Sequence, residues 1–412
     1  MTVVAKDHRN LALIKGLTFV MFMMFAMTTD AVGVIIPEVI KEFDLSMTAA
    51  GAFHYTTMTA IALSGILLGH LADRLGRKTT IIAGLSLFAI SSFLFAAGHT
   101  FGFFLALLVV SGTAIGIFKT GALALVGDIT TSTREHTATM NTVEGYFAVG
   151  AVIGPAIVTR LLAAGYSWKW LYIIAATMCV LLIVTALLVR YPETIRTTSE
   201  PMDLKRTFGM MKSPYAMGFS LGIFMYVAVE CAIYVWMPTL MADYSGSFPL
   251  VAAYSISIFF VLRAAGRFLG SAVLARYHWA SVMALFSCLI LLCFVGSIFG
   301  GVAYAAILLP LSGLFMSMIY PTLNSKGISC FPKAEHGAVA GVILFFTCAA
   351  AALGPLAMGA VSDTFGHARY GFMLAAGFAG LLFAGLLLNW LYDPAKERLA
   401  LVDSTEYAHV ES

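Results

Sequence analysis

The sequence predicts an all-α membrane protein in which twelve transmembrane helices form two six-helix bundles related by a parallel repeat. Three observations support this class: an apolar composition, a succession of long apolar segments, and glycine motifs that recur in both halves. Of the 412 residues, 60% are hydrophobic and 11% are charged, against about 45–50% and about 25% in ordinary soluble domains. The composition excludes a soluble enzyme or a nucleic-acid-binding protein, and the net charge of +3 indicates no polyanionic partner.

A membrane-spanning helix needs about 20 mostly apolar residues, and the first half of the chain contains six such segments. They cover residues 16–36, 49–70, 79–97, 101–126, 140–163 and 171–189. Six more follow, at residues 215–240, 251–275, 282–300, 302–325, 337–361 and 372–392. The longest polar stretch separates the two sets. We therefore predict an N-terminal bundle over residues 1–190, a cytoplasmic linker over 191–213, a C-terminal bundle over 214–392 and a cytoplasmic tail over 393–412.

The basic residues of the loops indicate the orientation of these spans. Most of the 24 Lys and Arg residues fall in loops on the side of the N-terminus, and cytoplasmic loops carry such an excess. We therefore predict a multi-pass protein of the cell inner membrane with both termini in the cytoplasm. The regular alternation of basic and less basic loops also supports twelve spans, because a missed or invented helix would disturb it.

Glycine motifs in the second, fourth and fifth spans recur in the eighth, tenth and eleventh. At an offset of 200 or 201 residues, Gly65 and Gly69 match Gly266 and Gly270, Ser111-Gly112 matches Ser312-Gly313, and Gly154-Pro155 matches Gly354-Pro355. Close helix packing in lipid accounts for small residues but not for a shared offset. Internal symmetry of this kind is typical of transporter folds, so we predict that the two halves are parallel repeats.

The loop after the second span carries the most specific motif of the chain, because residues 69–78 read GHLADRLGRK. A tight glycine turn beside a carboxylate and a basic cluster suits charge-assisted contacts that break and reform between two conformations. The motif resembles the corresponding loop of the major facilitator superfamily. This resemblance implies a conformational gate in which Arg77 pairs with Asp128 at the cytoplasmic end of the fourth span. The predicted gate residues are Gly69, Asp73, Arg74, Gly76, Arg77 and Asp128.

Other segments resemble the fucose, galactose and glucose proton-symporter branch of this family. The similar segments include Met140-Asn141 through Gly154-Pro155, Tyr226 through Glu230 with Trp236, Gly266-Arg267-Phe268, and Tyr320-Pro321-Thr322. The resemblance implies import of sugars together with protons, with acidic residues of the first and fourth spans taking part. Asp30 takes a position comparable to the first of these acids, whereas Lys119 stands at the second, which reverses the charge.

Ionisable side chains inside the predicted spans are candidates for coupling protons to transport. A charge at membrane depth costs at least about 2.5–3.5 kcal/mol, so such residues usually face a wet cavity and serve a function. We predict proton-coupling roles for Asp30, Glu144 and Glu230. The alternative is a structural ion pair in which Asp30 or Glu144 permanently compensates Lys119.

Cationic, aromatic and amide side chains of the spans are candidates for contact with a solute. Lys and Arg at membrane depth suit an anion, while aromatic faces suit sugar rings. The chain contains no Gln and four Asn, and this scarcity of amides argues against a hexose and favours a smaller or charged solute. The predicted substrate-binding residues are His54, Lys119, Asn141, Tyr146, Trp236, Arg263, Tyr320 and Asn324.

Together these features predict a proton-coupled secondary active transporter that moves a sugar or a small organic anion by alternating access. Its partners would be the solute, protons and the lipid bilayer, without nucleic acid, and the chain is expected to act as a monomer. The alternatives are a proton-driven exporter of amphipathic compounds and, from another class, a transport-dead membrane sensor. We expect no enzymatic activity, metal site or cofactor, because the chain has no H-E-x-x-H motif, Ser/His/Asp cluster or glycine-rich phosphate loop.

Overall fold

The structure, a computed structural model, describes residues 8–68, 71–129, 133–192, 209–242, 244–274, 276–331 and 336–406. Every regular element within these ranges is helical. Gly69 lies outside the described residues, and so do the side chains of Asp73 and Asn141. The predicted roles of these three residues stay predictions.

The first half of the described chain contains nine α-helices and ends with the predicted sixth span. They are α1 (His8–Thr29), α2 (Val32–Phe43), α3 (Met47–Ala50), α4 (Ala52–Leu68), α5 (Leu71–Arg74), α6 (Arg77–Leu94), α7 (Phe101–Ile129), α8 (Thr133–Ala163) and α9 (Trp170–Leu188). The predicted first span is thus divided between α1 and α2, which leaves Asp30 and Ala31 outside both helices.

The second half of the described chain also contains nine α-helices, together with a π-helical segment, Ala232–Trp236. The helices are α10 (Pro214–Cys231), α11 (Met237–Leu240), α12 (Pro249–Ala253), α13 (Ser255–Leu274), α14 (Trp279–Met316), α15 (Ile319–Ser329), α16 (His336–Phe365), α17 (Ala368–Tyr392) and α18 (Lys396–Glu406). A kink at Gly301, where φ is 76°, divides α14. Glycine adopts this left-handed conformation without steric cost.

Nine stretches of the described chain are long and apolar enough to cross a bilayer. One of them, Trp279–Ser329, contains the predicted spans nine and ten on either side of Gly301. The predicted spans two and eight correspond to α4 and α13, which are not among the nine. The all-helical class is confirmed, whereas the number of twelve spans stays a prediction.

The chain divides into two compact units. Unit 1 comprises Met1–Leu45 and Ala52–Pro201, and unit 2 comprises Ser46–Gly51 and Met202–Ser412. The division after Pro201 falls inside the stretch that we interpret as a linker. Ser46–Gly51, at the start of the predicted second span, is an exception that no sequence pattern indicates, because this segment packs with residues of unit 2.

Aromatic side chains of α1, α6 and α7 form the centre of the core of unit 1. The ring centroid of Phe25 lies 4.6 Å from that of Phe118 and 4.8 Å from that of Phe88. All three side chains are at most 1% exposed. In lipid, such close packing rather than exclusion of water holds helices together.

Glycines of the fourth and tenth spans make the same kind of contact in their respective units. A Cβ added at Gly112 would lie 2.7 Å from the carbonyl oxygen of Thr57 in the second span. A Cβ added at Gly313 would lie 2.6 Å from the carbonyl oxygen of Phe259 in the eighth span. Each glycine therefore allows its helix backbone to approach the neighbouring helix more closely than a residue with a Cβ atom would allow.

Glycines of the fifth and eleventh spans repeat this correspondence. A Cβ at Gly154 would collide with the carbonyl oxygen of Met27 in the first span, and one at Gly354 would lie 3.0 Å from the Cα of Ala228 in the seventh. Gly65 differs, because a Cβ there would meet no atom within 4 Å. The offset near 200 residues therefore reflects matching helix contacts inside each unit at two of the three repeated motifs.

Candidate functional site

The break in the first span follows two consecutive threonines and contains Asp30. Thr28 Oγ1 and Thr29 Oγ1 lie 2.9 and 3.2 Å from the carbonyl oxygen of Phe25. Hydroxyls that bond back to the preceding turn compete with the helical hydrogen bonds and bend helices. Thr29 Oγ1 also lies 2.8 Å from Asp30 Oδ2, to which it can donate. The local sequence thus places a half-buried carboxylate at a helix break, an arrangement typical of transporter binding sites.

A small cavity, lined mostly by apolar groups, lies next to this break, within unit 1. Its volume is about 20 Å³, which is enough for about one water molecule. The polar part of the lining comprises Thr28, Thr29, His54, Thr57 and Ser111. The His54 side chain is 1% exposed. The structure therefore encloses this predicted substrate-binding residue in a mostly apolar cavity of its own unit that also has a few hydroxyl groups in its lining.

Lys119 is half-buried in α7, inside an apolar stretch. Its Nζ lies 5.2 Å from the centroid of the Phe147 ring, a distance typical of a cation–π contact. Among the described side chains, no carboxylate oxygen lies within 4.0 Å of this ammonium group. The alternative in which Asp30 or Glu144 permanently pairs with Lys119 is therefore not realised in this structure.

Two of the predicted residues of α8 are exposed. Glu144 is exposed, and Tyr146 is 41% exposed. The Tyr146 ring stacks on Phe19 of α1, with centroids 5.3 Å apart. One face of the Tyr146 ring is thus occupied by a contact with the protein, and its role in solute binding stays a prediction.

In unit 2, Glu230 and Arg263 form an ion pair. Arg263 Nη2 lies 2.6 Å from Glu230 Oε1, and the glutamate is 7% exposed. Glu230 precedes the last residue of α10, directly before the π-helical segment. Such segments are frequent at functional sites. The structure thus joins a predicted proton-coupling residue to a predicted substrate-binding residue.

Tyr226 connects this ion pair to the break between α14 and α15. Its hydroxyl lies 3.3 Å from Glu230 Oε1 and 3.0 Å from the carbonyl oxygen of Met316. Met316 is the last residue of α14, where carbonyl groups lose their helical partners. The Tyr320 ring lies 6.2 Å from the Tyr226 ring, and its hydroxyl is 3.4 Å from Thr347 Oγ1. These contacts make a polar cluster inside unit 2.

Trp236 and Asn324 complete the predicted residues of unit 2. Trp236 is 2% exposed, and its Nε1 donates to the carbonyl oxygen of Pro355 at 3.0 Å. The polar atom of this side chain is therefore used within the unit, where it anchors the π-helical segment to α16. Asn324 is half-buried on α15, about one turn after Tyr320.

The predicted gate is represented by Arg77 and Asp128. Arg77 Nε lies 2.8 Å from Asp128 Oδ2, and the arginine side chain is 8% exposed. Gly76 has a φ of 85°, which favours glycine and forms the expected tight turn. Arg74 is exposed. The pairing of Arg77 with Asp128 is the one that the resemblance implies, while its role in gating stays a prediction.

Sequence reasoning missed a carboxylate of unit 2, Asp363, near the end of α16. It accepts hydrogen bonds from the backbone N–H groups of Met47 and Thr48, each at 2.8 Å. No sequence pattern marks a contact between residues more than 300 positions apart. The available signal is Ser46, whose hydroxyl accepts a bond from the N–H of Ala49 and so marks where the helix begins.

The described residues offer little chemistry other than charge and hydrogen bonding. No group of three His, Cys, Asp or Glu side chains among them could hold a metal ion. The six cysteines are free thiols, four of them buried. Burial raises the pKa of the Cys330 thiol, which lies just after α15, to about 11.

Comparison with known proteins identifies the family. The model of the Major Facilitator Superfamily matches residues 18–355. A glucose/galactose transporter of Brucella abortus is 24% identical over 383 residues, which are 89% of this chain and 92% of that protein. The quinolone resistance protein NorA of Staphylococcus aureus is 30% identical over 146 residues, which are 34% of this chain and 36% of NorA.

A solved structure with a similar fold is that of the E. coli fucose:proton symporter FucP. It covers 92% of this chain and 99% of the symporter with a TM-score of 0.63 and 19% sequence identity. The family match runs from α1 into α16 and contains the gate motif and both members of each repeated glycine pair. The resemblance inferred from residues 69–78 is confirmed. The chain therefore belongs to the Major Facilitator Superfamily.

Proposed function

We propose that this protein is a proton-coupled secondary active transporter that moves a sugar or a small organic anion by alternating access. The observation that carries the proposal is Asp30, a half-buried carboxylate at the break of the first span. The glucose/galactose transporter and the fucose:proton symporter that this chain resembles favour a small solute and coupling to protons.

Asp30 would couple the two fluxes by changing its charge. The Thr29 hydroxyl supports the ionised carboxylate by donating to Oδ2. Protonation removes a charge that costs at least about 2.5–3.5 kcal/mol at membrane depth, so the loaded carrier can switch between its two conformations. For a neutral solute, the charge of one accompanying proton that crosses 100 mV supplies about 2.3 kcal/mol, which corresponds to about fiftyfold accumulation. A monovalent anion that moves with one proton carries no net charge, so the pH difference alone drives its accumulation.

We also propose the number of spans, the location and the orientation of the protein in the membrane. The distribution of basic residues between the loops supports twelve spans and two cytoplasmic termini, and we place the carrier in the cell inner membrane. The carrier would act as a monomer whose partners are the solute, protons and the bilayer. Catalysis is not part of the proposal, because the family consists of transporters.

Purified protein in liposomes tests the proposal. A trapped pH-sensitive dye reports proton movement after addition of sugars and small organic anions. An active solute should acidify the lumen, and Asp30→Asn should abolish this response while solute exchange without a proton gradient survives. The matched control is Asp44→Asn, because Asp44 is exposed and has a φ of 50°, which asparagine tolerates. An unchanged proton response in Asp30→Asn would contradict the role of Asp30.

A second candidate function is proton-driven export of amphipathic compounds. The observation that favours it is the 30% identity to NorA over 146 residues. The same vesicles separate the two functions, because an exporter exchanges a proton for its substrate in the opposite direction. Solute uptake driven by an inward proton gradient would exclude the exporter.

A further inference from the structure

Lys119 is a cationic residue inside a span of unit 1 to which the proposed proton chemistry assigns no role. It lies in α7, seven residues before the end of the apolar stretch Phe101–Val126. At a rise of 1.5 Å per residue, its Cα is about 10 Å inside that end. The side chain is half-buried. A cation at such a depth is costly and marks a functional site by default.

The surroundings of Lys119 differ from those of two other cations that are also largely buried. Arg263 has Glu230 at 2.6 Å, and Arg77 has Asp128 at 2.8 Å. Lys119, by contrast, has the Phe147 ring at 5.2 Å and no carboxylate oxygen within 4.0 Å among the described side chains. An aromatic ring attracts an ammonium group and orients it, but it carries no net charge to compensate the cation.

The hydrogen-bonding capacity of Lys119 is also unused within the described part of the chain. An ammonium group has three N–H donors, and none of them reaches a described acceptor in this structure. The group is thus held by Phe147 on one side and has both its charge and its donors left for a ligand. A carboxylate offers the complement of both, since it accepts charge-assisted hydrogen bonds and cancels the charge.

We propose that Lys119 binds the carboxylate of the transported solute, so that the solute is an organic anion of the sugar-acid type and not a neutral sugar. The inference rests on the proposed transport function and names its substrate class. The absence of Gln and the presence of only four Asn agree with recognition by charge instead of by many hydrogen bonds to hydroxyl groups. In the loaded carrier, the solute and Lys119 form a neutral pair.

Pairs of solutes that differ only in the carboxylate test this inference. Galactose and galacturonate share one ring and differ at C6, and further sugars are each compared with their own acid. Binding is measured as the solute-induced shift in melting temperature of the purified protein, and flux is measured in liposomes. The variants are Lys119→Gln, Lys119→Arg and, as a matched control, Lys41→Gln. Lys41 is suitable because its side chain is 68% exposed and contacts Glu38 on its own helix.

We expect the acids, but not their parent sugars, to bind and to be transported by the wild-type protein. Lys119→Gln should lower the affinity for the active acid about tenfold or more, because a charge-assisted bond is lost. Lys119→Arg should retain most of the affinity, because it keeps the positive charge. Binding by this variant would show that replacement of Lys119 does not by itself prevent folding. Lys41→Gln should behave like the wild type.

Two results would overturn the inference and are distinguishable from each other. Transport of neutral sugars that is unchanged in Lys119→Gln would mean that the lysine side chain only extends to the cytoplasmic surface, and the proposed transport function would stand. Absence of any solute flux and any proton movement in folded, reconstituted protein would overturn the proposed function together with the inference.

Discussion

The carboxylate of Asp363 accepts the backbone N–H of Thr48 at 2.8 Å, across 315 positions of the sequence. Its second oxygen accepts the N–H of Met47 at the same distance. Asp363 therefore supplies a negative charge to the first turn of a helix on which it does not lie, where such a charge is stabilising. This contact explains why Ser46–Gly51 clusters with unit 2.

Replacement of Asp363 should loosen this segment. Asp363→Ala should lower the free energy of unfolding by about 0.5–2 kcal/mol, as the loss of a helix cap does. Asp363→Asn should have a smaller effect, because its amide oxygen can still accept a bond. Thermal melting in detergent measures both, with Asp44→Asn as the control carboxylate. Equal melting temperatures for Asp363→Ala and the wild type would show that water replaces the bonds without cost.

Arg77 and Asp128 should be energetically coupled. The Arg77 side chain is 8% exposed, and Asp128→Asn removes the carboxylate that lies 2.8 Å from its Nε. A hydrogen bond to a charged group contributes about 1.5–3 kcal/mol. The double variant Arg77→Gln/Asp128→Asn should therefore lose less stability than the sum of the two single variants. Melting temperatures of all four proteins give the coupling. Additive losses would mean that the contact contributes nothing.

The ion pair of Glu230 and Arg263 permits a related test with a larger expected effect. Removal of one partner of a buried pair costs about 3–5 kcal/mol, whereas replacement of both by neutral groups is often tolerated. Glu230→Gln and Arg263→Gln should each destabilise unit 2, and the double variant should be more stable than either. Thermal denaturation measures the order of stability of the three variants. A double variant that is less stable than both single variants would show that the two side chains also stabilise the protein through contacts other than the one with each other.

The all-helical class and the contact between Arg77 and Asp128 could be predicted because their signals lie in short segments of the sequence. Span lengths follow from apolar composition, and the turn at Gly76 follows from a glycine between two helices. Arg77 and Asp128 could be paired because a specific motif carries the pairing with it. The glycine repeats report contacts indirectly, through an offset that both units share.

The partners of the membrane charges could not be predicted in this way. Which face of a span meets its neighbour depends on where the helix is broken and on how the π-helical segment rotates the residues that follow it. From the sequence, either Asp30 or Glu144 could form an ion pair with Lys119, and in the structure neither does. Asp363 could not be predicted because a carboxylate at the end of a span is common, and its partners lie more than 300 positions away in the sequence.

Cys330 should react slowly with maleimides, with a defined dependence on pH. Burial favours the neutral thiol and raises its pKa to about 11, so at pH 7.5 about one thiol in three thousand is ionised. Only the thiolate is nucleophilic, hence labelling should accelerate about tenfold per pH unit until pH 11. A variant with Cys330 as its single cysteine tests this. A rate that levels off near pH 8.5 would indicate an exposed, ordinary thiol.

The tail helix α18 should contribute to this protection. Arg398 Nε donates to the carbonyl oxygen of Cys330 at 2.9 Å, and its guanidinium lies 6.0 Å from the Phe331 ring. The Arg398 charge lowers the pKa of the Cys330 thiol, so its loss alone would slow labelling. If α18 covers the thiol, Arg398→Ala in the single-cysteine variant should nevertheless speed labelling at a fixed pH, because the thiol becomes accessible. Lys396→Ala is the control, since Lys396 is exposed on the same helix. Equal rates in the two variants would show that α18 does not cover the thiol.

The close approach of the first and fifth spans makes the sharpest test of the packing. Gly154→Ala places a methyl group against the carbonyl oxygen of Met27, a backbone atom that cannot move aside alone, so we expect the largest loss of melting temperature. Gly354→Ala should cost less, because its Cβ would lie 3.0 Å from the nearest atom. Gly145→Ala, on the same helix as Gly154, meets nothing within 4 Å and should stabilise by about 0.5–1 kcal/mol, as alanine does in place of a helical glycine. If Gly154→Ala and Gly145→Ala had the same melting temperature, the two helices would have to lie farther apart than in this structure. The repeated glycine motif would then not reflect a close contact between helices.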